Sequence, residues 1–165
     1  DSGDRLARFS ALLDQLAEKY ELPVIVSTHP RTRQRLEANP SVPHPRIAFH
    51  KPFGFLDYLK LQTNARAVLS DSGTITEEAS ILNFPALNLR EVQERPEGFE
   101  EAAVMFVGMD PARVFEGLDV LHDQPRGGDR LLRQVRDYEP ENVSDKVVRI
   151  ILSYTDFVNR RVWRR

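Results

Sequence analysis

A chain of 165 residues with 41% hydrophobic content is long enough for one well-packed domain. Its 23 basic and 25 acidic side chains leave a formal charge of −2, which excludes a global electrostatic pull toward nucleic acid or an anionic membrane. It has no cysteine, so thiol catalysis, disulfides and cysteine-ligated metal are excluded, and no apolar run approaches the roughly 20 residues of a membrane span.

The opening "DSGDRLARFS" has neither the basic n-region nor the apolar core of a signal peptide, and it does not begin with Met. The expectation is a fragment or processed chain of a cytoplasmic protein. In "DRLARFSALLDQLAEKY" the residues Leu6, Phe9, Leu13, Leu16 and Tyr20 recur at spacings of three and four, which predicts an amphipathic helix. Val24, Ile25 and Val26 form a short continuous apolar run, as in a strand covered on both faces. A basic helix, "RTRQRLEAN", follows Pro30 and ends before the Pro-rich loop "NPSVPHP". The alternation then repeats: strand "RIAFH", helix "GFLDYLKLQTN", strand "ARAVLS", helix "TITEEASILN", strand "PALNL". After "REVQERPEGFEEA" come a fifth strand, "VMFVG", and the helix "DPARVFEGLDVL", with Pro111 where its missing N–H costs nothing. "DQPRGGDR" reads as a flexible loop, and "VSDKVVRIILSYTDFVNRRVW" as a last helix whose apolar face is wide enough to need more than one neighbour.

This alternation predicts an α/β fold, a Rossmann-like parallel sheet with helices on both faces, in which ligands bind at the carboxyl ends of strands. The segment "SDSGTITEEAS" stands at such an end. Ser72, Gly73 and Thr74 open a helix whose first amides lack internal partners and carry the positive end of the dipole, a setting for a diphosphate. Gly73 lets phosphate oxygens approach the backbone, and Ser72 offers a hydroxyl. Glu78, one turn further, is placed to accept hydrogen bonds from a ribose diol. Thr74 and Glu77 equally match a capping box, and acids in a first turn stabilise a helix by about 0.3–1 kcal/mol without any ligand. Spacing alone leaves the two readings balanced.

Neighbouring strand ends add candidates. Arg90 and Arg95 follow the next strand and suit phosphate through the planar guanidinium fork, against the alternative of loop ion pairs with Glu91, Glu94 or Glu97. Phe53, Phe55 and Tyr58 can stack on a base, against the alternative that Phe55 fills core. His29 ends a strand where a ligand would lie; His44 and His122 read as surface residues, and His50 is undetermined. No histidine pair has metal-ligand spacing, neither a P-loop nor a G-x-S-x-G elbow occurs, and adjacent carboxylates diverge by about 100° on a helix, so no metal is expected at Asp71, Glu77 and Glu78.

Taken together, "SDSGTITEEASILNFPALNLREVQERPEGFEEAAVMFVG" resembles the nucleotide-binding heart of the non-hydrolysing UDP-N-acetylglucosamine 2-epimerase family. That family's pattern runs Asp-Ser-Gly-Gly-x-x-Glu-Glu, Gly-x-Pro, Arg-x-x-x-Glu-Arg-Pro-Glu. Thr74 in place of Gly, and "NFP", are similar to the capsule and O-antigen branch that makes UDP-N-acetyl-L-fucosamine. The resemblance covers essentially the whole chain. It implies one half of a two-domain GT-B architecture: residues 1–165 as the C-terminal UDP-binding domain, the N-terminal domain missing, and helix 142–162 reaching toward it. It implies that Ser72 and Gly73 bind diphosphate, Glu78 the ribose, Tyr58 and backbone near Phe53 the uracil, and that Arg95 faces the phosphates and stabilises the leaving group. The implied reaction is elimination of UDP to a 2-acetamidoglycal and re-addition with inverted C2, with no cofactor beyond the UDP-sugar substrate. The acidic catalytic residues belong to the missing domain, so the chain alone is expected to bind UDP weakly and to be inactive, and the full-length protein to be a homodimer. The alternatives are the donor-binding half of a GT-B glycosyltransferase and a free-standing UDP-sugar-binding module.

Overall fold

Five short strands alternate with helices, as the periodicity predicts. A computed structural model describes residues 2–38, 44–92 and 94–165. In chain order the elements are α1 (Ser2–Tyr20), β1 (Val24–Ser27), α2 (Pro30–Ala38), β2 (Ile47–His50), α3 (Phe55–Asn64), β3 (Val68–Ser70) and α4 (Ile75–Leu82). Then follow β4 (Ala86–Asn88), α5 (Pro96–Glu100), β5 (Met105–Phe106), α6 (Pro111–Val120), a 3-10 turn (Arg136–Tyr138) and α7 (Val143–Arg161). Most of the predicted Pro-rich loop lies outside the described residues. Every strand pairing is parallel, which establishes the predicted α/β class. The strands form two hydrogen-bonded sheets rather than one: β1 with β2, Val24 opposite Ile47, and β3-β4-β5, with Leu87 of β4 flanked by Leu69 and Met105.

Helix α1 joins the two. Leu12 and Leu16 enter a cluster with Leu87, Leu89, Val114, Leu118 and Leu121, against which Val24 of β1 and Leu69 of β3 also pack. Leu13 and Ala17, rotated by about 100°, enter a second cluster with Val26 and Ile47. The predicted stripe therefore marks only part of the buried surface, since it omits Leu12 and Ala17, both fully buried. Burying each such leucine contributes roughly 1.5–3 kcal/mol. Strand β1 departs from expectation. Ile25 is 48% exposed and burial alternates along the strand, so among the described residues β1 is covered on one face. Helix α6 starts as predicted, Pro111 at its first turn and the Asp110 carboxylate accepting from the Ala112 N–H at 3.0 Å. It lies so close to β4 that a Cβ on Gly117 would stand 2.9 Å from Leu87 Cδ2.

The segment predicted as a flexible loop, 123–130, is a strap tied to the ends of two helices. Arg126 donates from Nη1 to the Ala65 carbonyl at 2.5 Å and from Nη2 to that of Arg66 at 2.6 Å, just past α3. Arg130 donates to the carbonyls of Ser80 and Ile81, each at 2.7 Å, at the end of α4. These are the orphan carbonyls and negative dipole ends that guanidinium groups satisfy best. Asn83, left-handed at φ 52° after α4, donates from Nδ2 to the carbonyls of Gly127 (3.0 Å) and Asp129 (2.7 Å). The Val135 N–H then donates to Ser80 Oγ at 2.9 Å, and the Tyr138 hydroxyl to Glu97 Oε1 of α5 at 2.8 Å. Beyond it, α7 buries none of its side chains; of its predicted apolar face, Val147, Ile150, Ile151, Tyr154 and Phe157 are exposed and Val158 is half-buried.

Candidate functional site

The carboxyl end of β3 feeds directly into α4 through Asp71, Ser72, Gly73 and Thr74. Short serine contacts fold this turn. The Ser72 N–H donates to Ser70 Oγ at 3.1 Å, and the Thr74 N–H to Ser72 Oγ at 3.3 Å. The hydroxyls of Ser72 and Thr74 lie 3.0 Å apart. The expected capping box does not form: Thr74 makes no side-chain cap, and Glu77 turns away from the helix start. Its Oε1 accepts from Arg95 Nε at 2.8 Å. A charged donor is a stronger partner for a carboxylate than a backbone amide, and it is the Glu77 hydrogen bond that keeps the Arg95 guanidinium still more firmly protonated.

Gly73 lies beneath the two arginines. A Cβ built there would stand 3.3 Å from Glu94 Oε2, 3.6 Å from Arg90 Nη1 and 3.9 Å from Arg95 Cζ. Arg90 is set by the buried Asn88 at the end of β4, whose Oδ1 accepts the Arg90 N–H at 2.9 Å, and its guanidinium pairs with Glu94 at 2.5 Å. Of the predicted loop ion pairs, Arg90 thus makes the one with Glu94, while Arg95 reaches across to α4. Both cations stand over a backbone position that has no side chain.

The two adjacent acids part company as the helical twist requires. Glu77 faces α5, and Glu78 faces α3, where its Oε2 accepts from Gln62 Nε2 at 2.5 Å. Tyr58 is one turn before Gln62, and its own N–H bonds the Gly54 carbonyl at 2.9 Å. Burial raises the Tyr58 pKa most, and the charges of Glu78 and then Asp71 raise it further against a hydrogen bond with Gln62. The phenol is therefore held protonated and close to Glu78. Among the described residues no group of acids and histidines has a metal-holding arrangement.

The structure therefore gathers Ser72, Gly73, Glu78, Tyr58 and Arg95, together with Arg90, around the start of α4. Phe53 sits apart from the hydrogen bonds of this cluster, its ring tilted against that of His50 at 5.2 Å. His29 is exposed just past β1, in the other sheet, where its carbonyl accepts the Arg33 N–H as α2 begins. Phe55, read as a possible core filler, is 75% exposed. His122 lies on the surface as expected, paired with Asp123 at 2.7 Å. Sequence reasoning passed over Gln62 and Asn88. Gln62 carries the one available signal, a polar residue four after Tyr58 on the same face of α3. Helix α5 was also missed, being five residues of "PEGFE".

A family model described as UDP-N-acetylglucosamine 2-epimerase matches residues 1–152. A relative from Methanocaldococcus jannaschii, named UDP-N-acetylglucosamine 2-epimerase, is 32% identical over 130 residues, 76% of this chain and 36% of its own length. The solved structure of the Rickettsia bellii UDP-N-acetylglucosamine 2-epimerase matches with a TM-score of 0.85 at 43% identity, over 98% of this chain and 44% of that one. The Methanocaldococcus jannaschii enzyme, crystallised with UDP-GlcNAc and UDP, matches with a TM-score of 0.79 at 28% identity, over 92% of this chain and 41% of that one. The chain spans 32–41% of the length of the first curated relatives it matches.

Proposed function

The chain belongs to the UDP-N-acetylglucosamine 2-epimerase family, and from that premise we propose that it is the nucleotide-binding half of a UDP-N-acetylhexosamine 2-epimerase. The observation that carries this reading is the convergence of Arg90 and Arg95 over Gly73, with Glu78 one helical turn in and turned toward Gln62 of α3. Ser72, Gly73 and the first turn of α4 take the diphosphate. Glu78 accepts from the ribose hydroxyls, Tyr58 and the backbone near Phe53 take the uracil, and His29 borders the pocket from the other sheet. In the reaction, a proton leaves C2 and the C1–O bond of the UDP-sugar breaks, releasing UDP and leaving a 2-acetamidoglycal. Re-addition of UDP at C1 and of a proton on the opposite face of C2 gives the epimer. Arg95 and the helix-start amides stabilise the negative charge that develops on the departing diphosphate. The proton-transfer groups belong to an N-terminal half against which the exposed apolar face of α7 packs, so the chain alone is inactive; measurable turnover of a UDP-sugar by it would refute this.

Thr74 and the "NFP" turn support a finer reading as the capsule and O-antigen branch, leading to UDP-N-acetyl-L-fucosamine, and this reading takes the full-length protein to be a cytoplasmic homodimer. The nucleotide assignment is tested by calorimetric titration of UDP into the chain and its Glu78→Ala variant. Loss of a charged, aligned hydrogen-bonding group costs about 1.5–3 kcal/mol, so affinity should fall roughly 10- to 150-fold. Equal affinity of the two proteins would overturn ribose recognition by Glu78.

A further inference from the structure

Gln62 is 2% exposed, in a helix position where an apolar side chain would leave nothing unsatisfied. Its Nε2 donates to Glu78 Oε2 at 2.5 Å, and its Oε1 is buried with no hydrogen-bond partner among the described residues. Turning the amide over would set its oxygen against a carboxylate, so charge fixes its orientation. A buried amide with an unused acceptor is a cost that packing does not explain.

The difference between the two adjacent acids gives it a purpose. Glu77 is paired with the Arg95 guanidinium, whereas among the described residues the Glu78 carboxylate accepts from one neutral amide donor, on Oε2, which leaves Oε1 for a ligand. A free glutamate side chain samples many rotamers, and holding one oxygen removes that freedom before a ligand arrives. We propose that Gln62 is the positioning residue that fixes the Glu78 carboxylate in the rotamer facing a ribose diol, so that the sugar meets an acceptor already held in place. This rests on the reading of Glu78 as the ribose acceptor.

The test compares UDP with 2′,3′-dideoxy-UDP on the chain and on Glu78→Ala and Gln62→Met, with thermal unfolding followed for each. The unsubstituted chain should prefer UDP by about tenfold or more. Gln62→Met should lower that ratio by about three- to tenfold while leaving affinity for the dideoxy ligand unchanged, which a general loss of structure would not do. If the unsubstituted chain shows no preference, or Glu78→Ala retains it, ribose recognition fails and the inference with it. If Glu78→Ala abolishes the preference and Gln62→Met keeps it, the inference alone is overturned. Should Gln62→Met not fold, Gln62→Glu serves instead, with Glu78 the ionisable group in hydrogen-bond contact with position 62. A protonated carboxyl there donates to Glu78 and an ionised one repels it, so the preference should be larger near about pH 5.5 than near about pH 8. A preference that is the same at both pH values would overturn the inference.

Discussion

Gly98→Ala tests how tightly α5 is set against α4. A Cβ at Gly98 would stand 2.1 Å from Thr76 Cγ2, while Thr76 Cβ and the Tyr138 hydroxyl would both be 3.5 Å away, an ordinary contact. A single methyl group is thus the whole obstacle, and Thr76 is itself buried. Alanine in place of glycine within a helix gains about 0.5–1 kcal/mol, and overpacking a tight contact costs about 1–3 kcal/mol. The net expectation is a loss of roughly 1–2 kcal/mol, or several degrees in Tm at this chain length. Thr76→Ser removes the obstructing methyl and alone costs about 1 kcal/mol in lost burial. In the double variant the new Cβ enters the vacated space, so the two losses should not add; a favourable coupling of about 1–2 kcal/mol is expected. Urea unfolding of the four proteins at constant m reads the cycle directly. Coupling smaller than about 0.5 kcal/mol would refute the reasoning. Because Arg95 opens α5 and braces Glu77, UDP affinity should fall in Gly98→Ala and recover in the double variant.

Asn83→Ala removes two hydrogen bonds to the strap and places alanine at φ 52°; a loss of about 2–4 kcal/mol is expected by denaturant melt, and Asn83→Gly, which relieves the backbone alone, should lie between the two. The Glu97 carboxyl is held below the ordinary glutamate range by its own backbone amide first and the Tyr138 hydroxyl second. A depressed carboxylate contributes stability above the unfolded pKa of about 4.3 and loses it as pH falls through the folded value. Tyr138→Phe should therefore raise the Glu97 midpoint in a carboxyl NMR titration and be least destabilising at acid pH; an unmoved midpoint counts against the contact. Arg95→Ala should weaken UDP by about tenfold or more while leaving uridine binding nearly unchanged, and equal losses for both ligands would remove Arg95 from the diphosphate site.

Much of the site was legible because its parts are local in sequence. Ser72, Gly73 and Glu78 lie within one turn of a helix start, and the divergence of Glu77 from Glu78 follows from helical twist alone. What could not be read is the competition for Glu77: Thr74 lies three residues before it and Arg95 eighteen after, and only the fold brings the stronger partner near. The long helices were readable from repeated apolar spacing, whereas α5 has too few residues for periodicity to register. The strap was misread because Arg126 and Arg130 bind backbone oxygens, which leave no mark on the residues that carry them. Helix α1 faces two clusters, and its predicted stripe caught Leu16 of one and Leu13 of the other but not their buried neighbours Leu12 and Ala17.

The strap also bears on which positions can vary. The oxygens gripped by Arg126 and Arg130 belong to the main chain, so residues 65, 66 and 81 can change side chain without altering what the arginines hold. Lysine cannot replace either arginine on equal terms, since each spans two successive carbonyls with one planar fork. The anchoring of α3 and α4, and with them Gln62 and Glu78, is thus written into two codons rather than four, and drift at the helix ends leaves the candidate site in register.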